Sequence, residues 1–309
     1  MEETMKKCSI LLLCILIMFS GCSNQKQQPQ QQTITVVASF YPVYILAKNI
    51  TDGVKGVTLE NMAQPQTGCL HDYQLTTKDR KALEKADLLL VNGAGMEAFL
   101  EGVKQQYKQL PVVDTSVGVE LLDTQHHHHH HHDEEEHSEK EELYNGHIWL
   151  YSENALKQAE NICSALCQKD SKNKQQYIKN LELFQQDIKN FQTQQKSQQT
   201  QQKVISFHEA FDYAAEEYGF TICAEVLVEE EKTPSAKELT QVIDLAKQQH
   251  ITIFFAAEDE GKKYAEIIAK ETGGKVYLLN PITTGELQKD AYLKAMEQNR
   301  NIIQEAIGL

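Results

Sequence analysis

The chain has 309 residues, 41% hydrophobic and 24% charged, with a formal net charge of −14 at pH 7. So large an acidic surplus excludes a nucleic-acid binder, which needs basic patches to neutralise phosphate. The length suits two domains of modest size, and the charge favours a cation as ligand.

Lys6 and Lys7 precede an apolar run from Ile10 to Phe19, followed by Ser20-Gly21-Cys22. A positive start, a short apolar segment and a small-residue cleavage site make a secretory signal over residues 1–21. The run is shorter than the roughly 20 residues that span a bilayer. An uncleaved anchor is the alternative, and both readings put the rest of the chain outside the cytoplasmic membrane. Met5 opens a more ordinary signal than Met1. Cysteine after Ser-Gly resembles the lipobox of bacterial lipoproteins, and that resemblance implies lipidation of Cys22. Glu2, Glu3, Lys6 and Lys7 cancel, so the mature chain keeps the full −14. Residues 22–32, nearly all Gln, Asn, Lys and Pro, have nothing to bury and read as a flexible tether.

From residue 33 onward, strand-like runs alternate with amphipathic helical ones. The first lobe, 33–171, opens with strand Thr33–Ala38, helix Pro42–Ile50 and strand Val57–Met62. Helix Thr77–Ala86, strand Asp87–Val91, helix Glu97–Tyr107 and strand Val112–Val113 follow. Such alternation predicts βα units on a parallel sheet. A long helix is expected over 172–202, with Tyr177, Leu181, Phe184, Ile188 and Phe191 on one stripe that packs against both lobes. The second lobe, 203–309, repeats the plan. Its strands are Lys203–Phe207, Phe220–Val226, Ile251–Ala257 and Lys275–Leu279. Its helices are Glu209–Tyr218, Pro234–Gln249, Gly261–Thr272 and Lys289–Ile307. Ser235 and Glu238 stand in capping-box spacing. The expected fold is therefore α/β, two βα lobes with parallel sheets joined by one connecting helix, and a metal site in the interlobe cleft.

The first lobe is interrupted by a His- and acid-rich loop, 124–142. It holds seven consecutive histidines, His126, His127, His128, His129, His130, His131 and His132, then Asp133 to Glu136 and His137. Imidazoles among carboxylates collect metal ions. A purification tag would sit at a chain end; this run is internal. A flexible run is an auxiliary collector rather than a defined site, so the four remaining histidines matter more. His71 and His208 follow predicted strands, where open α/β sheets bind ligands, and His147 follows a loop long enough to return there. His250 ends a helix and reads as a structural cap. Three imidazoles make a zinc site with one position over. Of the cysteines left after the signal and Cys22, Cys163 and Cys167 are four apart on a predicted helix, a pairing that helix geometry makes strained. Cys69, Cys163, Cys167 and Cys223 are read as core thiols, with a Cys69–Cys223 disulfide left open.

Together Val36-Val37-Ala38-Ser39-Phe40-Tyr41-Pro42, His71-Asp72-Tyr73, Ala86 to Gly93 and His147-Ile148-Trp149-Leu150 carry a family likeness. Phe207-His208-Glu209-Ala210-Phe211, Tyr218-Gly219-Phe220 and Pro234-Ser235-Ala236 extend it. The sequence resembles the metal-specific solute-binding proteins of bacterial ABC importers, the zinc and manganese receptors, over nearly the whole mature chain. The resemblance implies a single ion held in the cleft by His71, His147 and His208. It also implies no enzymatic activity, an ABC permease and its ATPase as partners, and a monomer tethered to the membrane by lipid.

Manganese members of that family place a carboxylate in the last strand-loop; this chain has Leu279-Asn280-Pro281-Ile282-Thr283. Manganese prefers hard carboxylate oxygen and imidazole suits zinc, so Zn²⁺ is expected ahead of Mn²⁺. The fourth position falls to water, Asn280, Glu286 or Glu258, with a surface or interlobe ion pair the favoured role of Glu258. Protons compete for the imidazoles, so affinity should fall as pH drops through about 6.5. Three rivals are a manganese receptor, a surface zinc store using the His run alone, and a zinc hydrolase. The last would need a general base and a motif such as His-Glu-x-x-His, which the sequence lacks.

Overall fold

A computed structural model describes residues 33–63, 73–123, 144–195, 202–228, 233–258 and 260–308. The signal, the tether with Cys22, the segment with Cys69 and His71, and the loop with His126 to His132 and His137 lie outside the described residues.

Each half builds one four-stranded parallel sheet. The first contains β1 (Ile34–Ala38), β2 (Val57–Asn61), β3 (Leu88–Val91) and β4 (Val112–Asp114), in the order β2-β1-β3-β4. The second contains β5 (Lys203–Ser206), β6 (Thr221–Glu225), β7 (Ile253–Ala256) and β8 (Lys275–Leu278), in the order β6-β5-β7-β8. In both, the chain leaves the first strand to one side and returns on the other. That reversal opens a crevice at the carboxyl ends of β1 and β3, and again of β5 and β7. The expected two-lobed α/β architecture is what the chain adopts.

Helices α1 (Tyr41–Thr51), α2 (Thr77–Lys85) and α3 (Leu100–Gln106) flank the first sheet; α6 (Phe211–Tyr218), α7 (Ala236–Gln249) and α8 (Glu260–Thr272) flank the second. Local chemistry sets their ends. Ser235 and Glu238 close the expected capping box on α7, and Thr76 with Asp79 closes another on α2. His250 ends α7 as the cap expected of it, in the left-handed region at φ 55°. α3 starts at Leu100, not Glu97. The Glu97 carboxylate accepts from the backbone N–H of Asn92 and Gly93 and from Ser39 Oγ, which holds 92–97 as a turn. Gly93 is required there: at φ 81° a Cβ would sit 1.9 Å from Asp114 Oδ1.

Between the sheets run α4 (Ser152–Lys169) and α5 (Lys174–Gln195), and α9 (Ala291–Ile307) closes the chain. Gln202, the expected end of the connecting helix, is already outside it. The α5 stripe is buried as expected at Tyr177, Phe184, Ile188 and Phe191, with Leu181 partly so. Asn180 donates to the carbonyls of Ile50 and Asp52 at the end of α1, while the Phe184 ring meets Tyr292 of α9 at 6.0 Å. The stripe thus joins both halves. One apolar cluster runs without a break from Val36 and Ile45 through Trp149 to Phe211, Phe255 and Tyr292.

Candidate metal centre

His208 lies two residues beyond β5, at the crevice of the second sheet. His147 arrives there by another route. The ends of the His-rich loop meet in an antiparallel bridge between Asp123 and Tyr144, and the chain then enters a short 3₁₀ turn, Ile148–Leu150. The two rings stand 5.4 Å apart, centre to centre, at 85°. Two imidazoles on one tetrahedral zinc, with Zn–N near 2.0–2.1 Å, have ring centres about 5 Å apart. The pair therefore fits a shared ion.

The two rings differ in readiness. His147 is fully buried, with Nδ1 2.9 Å from Asn145 Oδ1. The Asn145 amide nitrogen donates to Glu209 O at 2.7 Å and Asp212 Oδ2 at 3.0 Å, and its oxygen accepts the His147 backbone N–H. That oxygen can only accept, so His147 carries its proton on Nδ1. His208, half-buried, instead accepts the Ala210 N–H on Nδ1 at 3.0 Å. Its proton is on Nε2, and the ring must break this bond to ligate through that nitrogen. The same bond delays α6 to Phe211.

Carboxylates surround the pair. Glu209 Oε1 lies 3.6 Å from His147 Nδ1. Behind it, burial first and then the charges of Asp212 and Glu209 hold the Glu225 carboxyl well above its usual range. A hydrogen bond with Asp212 raises it further. Trp149 fixes the turn from the other side. Its ring is fully buried 5.2 Å from His147, and Nε1–H donates to Pro281 O at 2.8 Å.

His71 lies outside the described residues. The chain resumes at Tyr73, whose hydroxyl donates to Asp79 Oδ2 at 2.7 Å and whose ring packs edge-on against Phe99. Among the described residues, no third acid, thiol or imidazole completes a metal-holding group. The expected fourth ligands are occupied or distant in role. Asn280 Oδ1 accepts the Ile282 N–H at 2.7 Å, Glu286 is exposed, and Glu258 pairs with Lys262 at 3.1 Å on the surface, the role favoured for it. Asn145, Glu209 and Asp212 were not singled out from sequence. Their only signals are position, two residues before His147, one after His208, and one helical turn beyond it.

A two-lobed α/β scaffold with imidazoles converging at the sheet crevices defines a solute-binding protein for a metal ion. The chain belongs to the family described as zinc-uptake complex component A, periplasmic (ZnuA), which matches residues 36–306. The high-affinity zinc uptake system protein ZnuA of Bacillus subtilis is 26% identical over 313 residues, covering 96% of each chain. The iron-binding protein YfeA of Yersinia pestis is 24% identical over 274 residues, 86% of this chain and 83% of that one. A crystal structure of a ZnuA superposes with a TM-score of 0.70 at 25% identity, covering 89% of this chain and 99% of that one. The family is a receptor of an uptake system and not an enzyme.

Proposed function

We propose that the chain is an extracytoplasmic zinc receptor that captures Zn²⁺ and delivers it to an ABC permease driven by its ATPase. The observation that carries this is the His147–His208 pair, 5.4 Å apart with Asn145 orienting the His147 ring. His71 supplies the third imidazole. Cys22 carries the lipid, residues 22–32 form the tether, 33–171 and 203–309 the lobes, and the receptor works as a monomer. Zinc is favoured over manganese because the donors on hand are imidazoles, and the Asn280 oxygen, where a hard ligand would be needed, is engaged in its own turn.

The His126–His132 run, with His137, gathers ions at the cleft and is not the site. Asp123 and Tyr144 already touch, so the loop can be shortened without pulling the lobes apart. Isothermal titration of protein lacking 126–137 should retain one tight zinc, and His208→Ala in that background should remove it. Tight binding lost with the loop but kept after His208→Ala would overturn the assignment and support a surface store.

A further inference from the structure

The zinc cleft leaves two thiols of α4 unused. Cys163 and Cys167 stand one helical turn apart with Sγ atoms 4.0 Å from each other, and both are free. Cys163 is buried and Cys167 half-buried, with the Cys167 Sγ 3.8 Å from Lys174 O. Burial, then the neighbouring Cys167, pushes the Cys163 thiol up to about 12.

Helical geometry keeps this pair from closing. Side chains four apart have Cβ atoms about 5–6 Å apart, whereas a disulfide needs about 3.5–4.5 Å. The thiols thus persist outside the cytoplasm, where ordinary neighbouring cysteines oxidise. A metal ion is a better bridge. With bonds near 2.3 Å to each sulfur, an ion spans the 4.0 Å gap at an S–M–S angle of about 120°. The place is remote from the histidines. Asn173, just past α4, donates to Lys55 O ahead of β2, and Lys169 lies 4.0 Å from Asp87 ahead of β3. Both contacts mark the amino ends of the first sheet, opposite the end where His147 sits.

We propose that Cys163 and Cys167 form a second cation site, a two-thiolate clamp for a soft ion such as copper(I), independent of the histidine cleft. Binding exchanges two S–H bonds for two S–metal bonds and releases two protons to solvent, with copper(I) unchanged in oxidation state. Soft thiolates select copper(I) over hard cations. With no third acid, thiol or imidazole grouped here among the described residues, the set suits low-coordinate copper(I) better than four-coordinate zinc.

The test uses full-length reduced protein saturated with Zn²⁺ to fill the imidazoles, titrated anaerobically with copper(I) held by a coloured chelator. Wild type should withdraw one more equivalent than Cys167→Ser or Cys163→Ser/Cys167→Ser. Copper(I) should also slow alkylation of Cys167, read by peptide mass, by about an order of magnitude, leaving Cys223 unchanged. Equal copper uptake by wild type and Cys167→Ser, or unchanged alkylation of Cys167, overturns the site. Cys167 is only half-buried, so its single substitution keeps the test open if the double variant fails to fold. Zinc titration of the Cys167→Ser variant should match wild type, separating this site from the receptor reading.

Discussion

Asn145 Oδ1 accepts the Nδ1 proton of His147 at 2.9 Å, and this contact selects which ring nitrogen faces the cleft. The Asn145 amide is itself oriented by Glu209 O and Asp212, both on the second half of the chain. The second lobe therefore contributes His208 and also presets His147. Loss of a partner that orients a metal-binding imidazole typically weakens affinity by about 10–100-fold. Asn145→Ala should weaken zinc binding on that scale in chelator competition. Nitrogen-15 imidazole shifts should show His147 losing its Nδ1–H preference. Unchanged affinity and an unchanged tautomer would remove Asn145 from the site.

Trp149 is the only tryptophan of the chain and lies 5.2 Å from His147, fully buried. A cation arriving on that imidazole changes the field at the indole. Zinc should therefore change tryptophan emission with a one-to-one endpoint, in protein with or without 126–137. His147→Ala should abolish the change, and a signal that follows loop occupancy would contradict the placement.

The strands, flanking helices and buried α5 stripe were legible because each rests on local periodicity: Tyr177, Phe184, Ile188 and Phe191 recur at helical spacing whatever they meet. The Ser235–Glu238 capping box was legible for the same reason. Asn145 was not, since its meaning depends on Asp212, 67 residues away, which only the folded chain brings to 3.0 Å. Residues 97–99 were misread as the first turn of a helix because nothing in the local sequence announces that the Glu97 carboxylate will take two backbone N–H groups. His208 was visible as a candidate, but not its engagement with Ala210, which sets the reorientation that ligation demands.

Two carboxyls, Glu97 buried and Glu217 half-buried, give stability a defined pH dependence. Burial raises Glu97 and Glu217 from 4.5 to about 7, against weaker lowering by their hydrogen bonds. Between about 4.5 and 7 the folded chain keeps protons that the unfolded chain has released. Their contribution is complete below the lower value and is lost as pH rises through the upper one, at most about 1.4 kcal/mol per pH unit per proton. Thermal melts of the zinc-free protein should show this decline. Glu217→Gln keeps an oxygen for the Ser152 N–H and should flatten the slope without loss of stability at pH 8. A slope equal to wild type would show that Glu217 ionises normally.

Tyr213 ties the neck of the His-rich loop to the second lobe. Its hydroxyl accepts the Leu122 N–H and donates to Asn145 O, both at 3.0 Å, and Asn145 N–H pairs with Leu122 O. Tyr213→Phe keeps the buried ring and strands a backbone donor and an acceptor, at about 1–3 kcal/mol for each group left unsatisfied. Denaturant midpoints should fall accordingly. Zinc affinity should fall less than for Asn145→Ala, because the Asn145 side chain keeps its bonds to His147, Glu209 and Asp212. If Tyr213→Phe instead costs as much affinity as Asn145→Ala with stability unchanged, the hydroxyl acts on the site itself and the neck is not its anchor.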